Sequence, residues 1–239
     1  MLAGSTLSIP AQQSDGPKNL QVFPKDTPRR ELIPHMRNFS FALGVPCTYC
    51  HGTEEQTTSN LQGVDFALDI KPTKTKAREM LRMVKEINST LLARVPHRSE
   101  LNLEVTCFTC HSGIPLPERI EDRVVRLIES DGADAAVADY RRIRRRYHGS
   151  AAYNFGQQPL VEVASGLQRE GQYQAAANIS ELNLEFNTGS TQSKYALAEA
   201  YFAMGEAEKA KPLYEQVLET WQGHRGAQAR LDAINNPPE

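Results

Sequence analysis

All four cysteines of the 239-residue chain stand in two five-residue runs, Cys47-Thr48-Tyr49-Cys50-His51 and Cys107-Phe108-Thr109-Cys110-His111. Each run is a CxxC pair followed at once by histidine, the spacing that attaches c-type haem. The chemistry needs that spacing. Two thiols one turn apart add across the two vinyl groups of one porphyrin, and the next imidazole then lies beneath the iron. Three other uses of paired cysteines fit less well. Structural zinc sites usually space their CxxC pairs by about 15–20 residues, whereas 56 residues separate Cys50 from Cys107. A thioredoxin-like redox motif needs a strand before it and a helix after it, and nothing upstream of either pair reads as a strand. A plain disulfide pairing leaves the two histidines unexplained. Two covalent haems, one on Cys47/Cys50 and one on Cys107/Cys110, with His51 and His111 as proximal iron ligands, are therefore expected.

The sixth iron position decides between electron transfer and small-molecule chemistry. Upstream of the first motif, Thr27-Pro28 is a good helix start. Leu32, Met36, Phe39 and Leu43 then follow at helical spacing, and Gly44 can end the helix. Met36 is 11 residues before Cys47 on that apolar face, so its thioether is the candidate for the first iron. A second helix, from about Thr73 to Ala93, carries Ala77, Met80, Val84, Ile87 and Leu91 as an apolar stripe with lysine and arginine outside. Met80, Met83 and, beyond the helix, His97 are all candidates for the second iron. Spacing alone does not choose among them.

These stretches resemble a known family. MRNFSFALGVPCTYCH (Met36–His51), AREMLRMVKEINSTL (Ala77–Leu91) and VTCFTCHSGIPLP (Val105–Pro117) are similar, in order and wording, to one haem pair of the cytochrome c subunit of photosynthetic reaction centres, over roughly residues 18–118. The resemblance implies His/Met ligation at both irons, with Met36 and Met80 at the positions of the family's helix methionines. It also departs from the family. Tetrahaem members carry four motifs and this chain two, and the position matching the one family haem with a distal histidine is Arg94.

Beyond Pro115-Leu116-Pro117 the composition changes to Ala, Arg, Glu and Leu at helical period. Gly171 and Gly205 are 34 residues apart, echoed by Leu167/Tyr201 and Ala176/Ala210, a tetratricopeptide-like period. Ser180 stands where the repeat usually has an aromatic. Val124–Tyr147, divided by Gly132, reads as a preceding helical pair, and Gly226–Ile234 as a capping helix. The expected architecture is all-α: a leader over 1–17, with residues 12–26 as an extended linker, a dihaem cytochrome domain over 18–118, and a helical hairpin plus tetratricopeptide-like repeats over 119–239.

Lys+Arg number 27 against 29 Asp+Glu, a net charge of −2, so no global field draws the chain to nucleic acid. The run Arg141-Arg142-Ile143-Arg144-Arg145-Arg146 reads as a solvated helix face, with attraction of an acidic redox partner or haem propionates as its alternative use. No stretch reaches the roughly 18–20 apolar residues of a membrane helix. Met1–Gln12 lacks the positive start of a full signal peptide and reads as a trimmed leader, yet haem c assembly places the mature chain outside a bacterial cytoplasmic membrane. The function expected is electron transfer between redox partner proteins, with no catalytic residue. The alternatives are a dihaem peroxidase-like enzyme and a haem-bearing adaptor whose repeats dock a larger redox complex.

Overall fold

The computed structural model describes residues 16–53, 61–97 and 103–236. The leader over 1–17 thus falls almost wholly outside the described residues. The chain divides into two compact units, Met1–Pro117 and Glu118–Glu239. Both are helical; among the described residues the one β feature is an isolated bridge between Gly52 and Asp65.

In the first unit, α1 spans Arg29–Leu43 and ends on Gly44 in the left-handed region, φ +63°. The Thr27 hydroxyl does not cap it. That hydroxyl donates to Pro24 O at 2.8 Å, and the helix begins one residue later, behind Pro28. Cys47–Tyr49 forms a 3-10 turn after Pro46. Next, α2 spans Pro72–Glu86, with proline in its first turn, where the missing N–H has no intrahelical partner to lose. It runs on through a π turn, Ile87–Leu91, and a 3-10 turn, Leu92–Arg94. The second motif is itself a short helix, α3, Cys107–His111, opened by a capping box between Thr106 and Thr109.

The lysine and arginine side chains of α2 are not all outside, contrary to the sequence expectation: Lys74 and Arg78 are each 9% exposed, while Met80 and Met83 are 43% and 44% exposed. The reason is hydrogen bonding. Lys74 Nζ donates to the carbonyls of Phe66, Ala67 and Leu68 at 2.9, 3.1 and 2.7 Å, and Arg78 Nη1 bonds Asp69 Oδ2 at 2.7 Å. The stretch expected to be a free linker is held by the same network. Asn19 Nδ2 donates to Ala67 O and Asp69 Oδ2, and Phe23 packs on His35 and Phe39 of α1.

The second unit stacks α4 (Ile120–Asp131), α5 (Ala133–Tyr147), α6 (Gln157–Arg169), α7 (Tyr173–Phe186), α8 (Thr191–Ala203), α9 (Ala207–Thr220) and α10 (Arg225–Asn235). Gly171 and Gly205 both turn with positive φ, +75° and +79°, so the 34-residue period marks the bends of two successive hairpins. Small buried residues follow the same period, Ala164 with Ala198 and Ala176 with Ala210, letting paired helices approach closely. Ser180 and Tyr214 occupy one repeat position. Ser180, fully buried, satisfies its hydroxyl on Ala176 O at 2.8 Å, while Tyr214 fills the equivalent space and donates to Glu199 Oε1 at 2.6 Å. Arg230 grips both oxygens of that carboxylate at 3.0 Å. Tyr214→Ala is expected to destabilise this unit by about 3–5 kcal/mol through the cavity and the lost bond, read as a lower denaturant midpoint followed by circular dichroism. Tyr214→Phe should cost far less.

The arginine run of α5 is the solvated face the sequence suggests, with Arg141, Arg142, Arg145 and Arg146 exposed, and several of its members find partners within this unit. Arg141 pairs with Glu185 and Arg142 with Asp139. Arg144 donates to Phe155 O at 3.1 Å and lies over the Phe186 ring.

Candidate functional site

Burial is distributed very unevenly between the two units. Among the described residues 25 apolar ones are buried, and of these only Ala42 and Ile114 belong to the first unit. Twelve of the 15 exposed large apolar residues do, among them Ile33, Phe41, Phe66, Met80, Met83, Leu91 and Phe108. A folded stretch of this length requires apolar burial to offset chain entropy, and the side chains of the first unit do not supply it to one another. They surround a space instead. A cavity of about 630 Å³ is lined by Leu32, Met36, Phe39 and Leu43 of α1, by Cys47, Cys50 and His51 of the first motif, and by Phe66 with Ala77 and Leu81 of α2.

Every member of the first expected ligand set, Met36, Cys47, Cys50 and His51, lines that one cavity. His51 Nδ1 is buried without a hydrogen-bond partner among the described residues, and its ring lies 5.0 Å from Phe66. Burial, and after it the Lys74 ammonium, lowers the His51 pKa, which favours the neutral imidazole that metal ligation requires. Burial raises the Cys50 thiol above its ordinary pKa. Ser40, which the sequence did not single out, reaches Cys47 Sγ at 4.0 Å.

At the second motif His111 Nδ1 faces Ile114 O at 2.9 Å. With Nδ1–H donating there, Nε2 keeps its lone pair, the usual arrangement of a ligating histidine. Ser112 and Gly113 turn the chain with φ +48° and +92°. Asn88, in the π turn after α2, clamps the segment leading into this motif: Nδ2 donates to Val105 O at 2.7 Å and Oδ1 accepts from Val105 N at 2.9 Å. Met80 stands two turns earlier on α2, on the same half-exposed apolar face as Met83. His97 lies past the helix in left-handed backbone, φ +58°. The structure therefore brings Met36 to the cavity that His51 lines, and ties the helix of Met80 to the second motif through Asn88.

Helix α1 serves both motifs. Its last turn meets α3, where Phe41 and Phe108 stack at 5.4 Å and Gly113 N donates to Ala42 O at 2.9 Å. Among the described residues no group of three or more His, Cys, Asp and Glu is placed to hold a metal ion directly, and the four thiols are unlinked. A coreless helical unit wrapped round an apolar cavity, with CxxCH on its wall, fits a covalently attached porphyrin.

These features are those of a c-type cytochrome. Residues 58–144 match the family model described as "Photosynthetic reaction centre cytochrome C subunit", a span that includes the second motif. Cytochrome c-554 of Chloroflexus aurantiacus is 37% identical over 76 residues, covering 32% of this chain and 16% of that protein. The photosynthetic reaction center cytochrome c subunits of Roseobacter denitrificans and Thermochromatium tepidum are 31% and 30% identical over 91 and 111 residues, covering 38% and 46% of this chain. Residues 58–144 are thus similar to this family's model. The chain spans only about a quarter or less of these relatives' own length. Among solved structures, the first TPR of Spaghetti (RPAP3) bound to an HSP90 peptide aligns at 22% identity and a TM-score of 0.35, over 48% of this chain and 87% of that one.

Proposed function

We propose that the chain is an extracytoplasmic dihaem c-type cytochrome that passes electrons between redox partner proteins. Bound haem supplies a one-electron Fe(II)/Fe(III) couple. Cys47 and Cys50 would hold one group and Cys107 and Cys110 the other, with His51 and Met36 axial at the first iron and His111 and Met80 at the second. The chain's own part is to keep each imidazole neutral and aimed, to exclude water with the α1 and α2 walls, and to keep the ligands in place in both redox states. A sixth ligand held in place leaves little room for peroxide, which sets this reading apart from a peroxidase-like enzyme. One observation carries the proposal: the apolar residues of the first unit line a cavity at a CxxCH motif rather than packing into a core.

Two of the similar proteins are photosynthetic reaction center cytochrome c subunits, which supports a reading in which donor and acceptor are other redox proteins. Among the described residues no helix is long and apolar enough to cross a membrane, consistent with association through a partner. Protein matured in a bacterial periplasm is expected to show two haems per chain by pyridine haemochrome assay, with two covalent porphyrin increments in the intact mass. Cys107→Ser/Cys110→Ser should show one. A colourless product of bare polypeptide mass would overturn the proposal.

A further inference from the structure

Among the described residues three cations, Lys71, Lys74 and Arg78, gather beside the first motif with two carboxylates, Asp69 and Asp65, the latter bridged to Gly52. Lys71 Nζ donates to Thr48 O, inside the CxxC turn. Lys74 Nζ, besides its three carbonyl partners, lies 3.0 Å from Asp69, and Arg78 lies 2.7 Å from the same carboxylate. Arg78, then burial, Asn19 and Lys74 set the Asp69 acidity, which falls well below the usual carboxylate range, so Asp69 stays charged. The cluster as a whole keeps an excess of positive charge, and Lys74 and Arg78 are withdrawn from the solvent that would screen them.

That charge reaches the motif. Lys74 and Arg78 line the same cavity as Cys50 and His51, Lys71 bonds the carbonyl of Thr48 between the two cysteines, and Lys74 holds the carbonyl of Phe66, whose ring lies 5.0 Å from His51. The second motif is different. Its described side-chain hydrogen bonds run within Thr106–Ser112 and to Ile114 O, none of them to a lysine or arginine. Oxidation adds positive charge at an iron. Fixed cations nearby oppose it and favour Fe(II), most strongly where water is excluded.

We propose that the Lys71, Lys74 and Arg78 cluster tunes the first site, making the haem on Cys47/Cys50 the higher-potential one, so that electrons entering at the second motif come to rest on the first. This rests on the dihaem reading above. One electron leaves Fe(II) at the second site and reduces Fe(III) at the first; no bond forms or breaks and no proton moves. Partner redox proteins supply and withdraw that electron. The three basic residues are positioning groups that act through space on the iron.

The test is a spectroelectrochemical titration of the two-haem protein. The midpoint that drops in Met36→Ala marks the first haem, and in the unmodified protein it should be the higher of the two. Lys74→Gln is expected to lower the reduced-to-oxidised ratio of that haem about tenfold at fixed potential, about 59 mV for one electron, leaving the other midpoint in place. Asp69→Asn should move the same midpoint upward. Opposite signs from two members of one network are what a charge effect gives and a merely structural role does not. If Lys74→Gln loses haem because three carbonyls lose their donor, Lys71→Gln, whose ammonium bonds Thr48 O, decides with a several-fold change in the same direction. The proposal is overturned if the first haem is the lower-potential one, if the folded lysine variants shift its ratio by less than about twofold, or if Asp69→Asn lowers it. Absence of haem would instead sink the functional reading.

Discussion

Alanine at Gly44 is expected to cost the cytochrome unit more than about 3 kcal/mol and most of its yield of haem-loaded protein. Two penalties act together. The residue sits at φ +63°, a conformation that costs a residue bearing a Cβ about 1–2 kcal/mol. That Cβ would also stand 2.0 Å from Gly113 O, and no rotamer change relieves an overlap with a backbone carbonyl. Relief requires the end of α1 to lift from the second motif, which breaks the Gly113 N to Ala42 O bond and parts Phe41 from Phe108. Losses of this size consume much of a small domain's margin. Gly113→Ala is the matched control: its φ is +92°, but nothing lies within 4 Å of the added carbon, so it carries strain without collision and should be milder. Thermal melts followed in the haem absorption band, with haem per chain from pyridine haemochrome, measure both. A Gly44→Ala protein melting within a few degrees of the unmodified one would show that this approach does not hold the two motifs together.

Gly44 also shows how far the sequence was legible. Its role as a helix terminator follows from the apolar period of Leu32, Met36, Phe39 and Leu43; that its missing side chain makes room for a carbonyl 69 residues away does not. The motifs and the 34-residue period were legible because each is local: five consecutive residues define one, and a repeated turn glycine the other. Lys74 and Arg78 were misplaced because a helical wheel sorts residues by polarity. A long cationic side chain becomes buried when carbonyls and a carboxylate converge on its head group, and those partners lie on a separate loop. The arginine run of α5 is exposed as expected, but its partners Glu185 and Phe186 were not legible because they come from α7. Thr27 failed as a cap because the helix begins one residue later, behind Pro28, while its hydroxyl turns back to donate to Pro24 O. Ser40 gave no signal, being one hydroxyl among helix residues.

Met36→Ala is expected to remove about half of the Met-to-iron charge-transfer absorption of the ferric two-haem protein, since one of two thioether ligands is lost. The argument is geometric. Met36 lines the same cavity as His51, Cys47 and Cys50, on a helix whose end is fixed by Gly44 and by Ser40 against Cys47. Truncation to a methyl leaves nothing on α1 at that position able to reach the iron, so the ferrous protein should also bind carbon monoxide at one haem, and the midpoint of that haem should fall. The second site makes the complementary comparison. Met80 and Met83 are exposed to nearly the same degree on one face of α2, so burial does not rank them, and the family match favours Met80. Met80→Ala should remove the other half of the band and Met83→Ala should leave it intact. A band lost in Met83→Ala would shift the ligand one turn along α2, and a band untouched by Met36→Ala would mean that the first cavity closes over its iron with some other group.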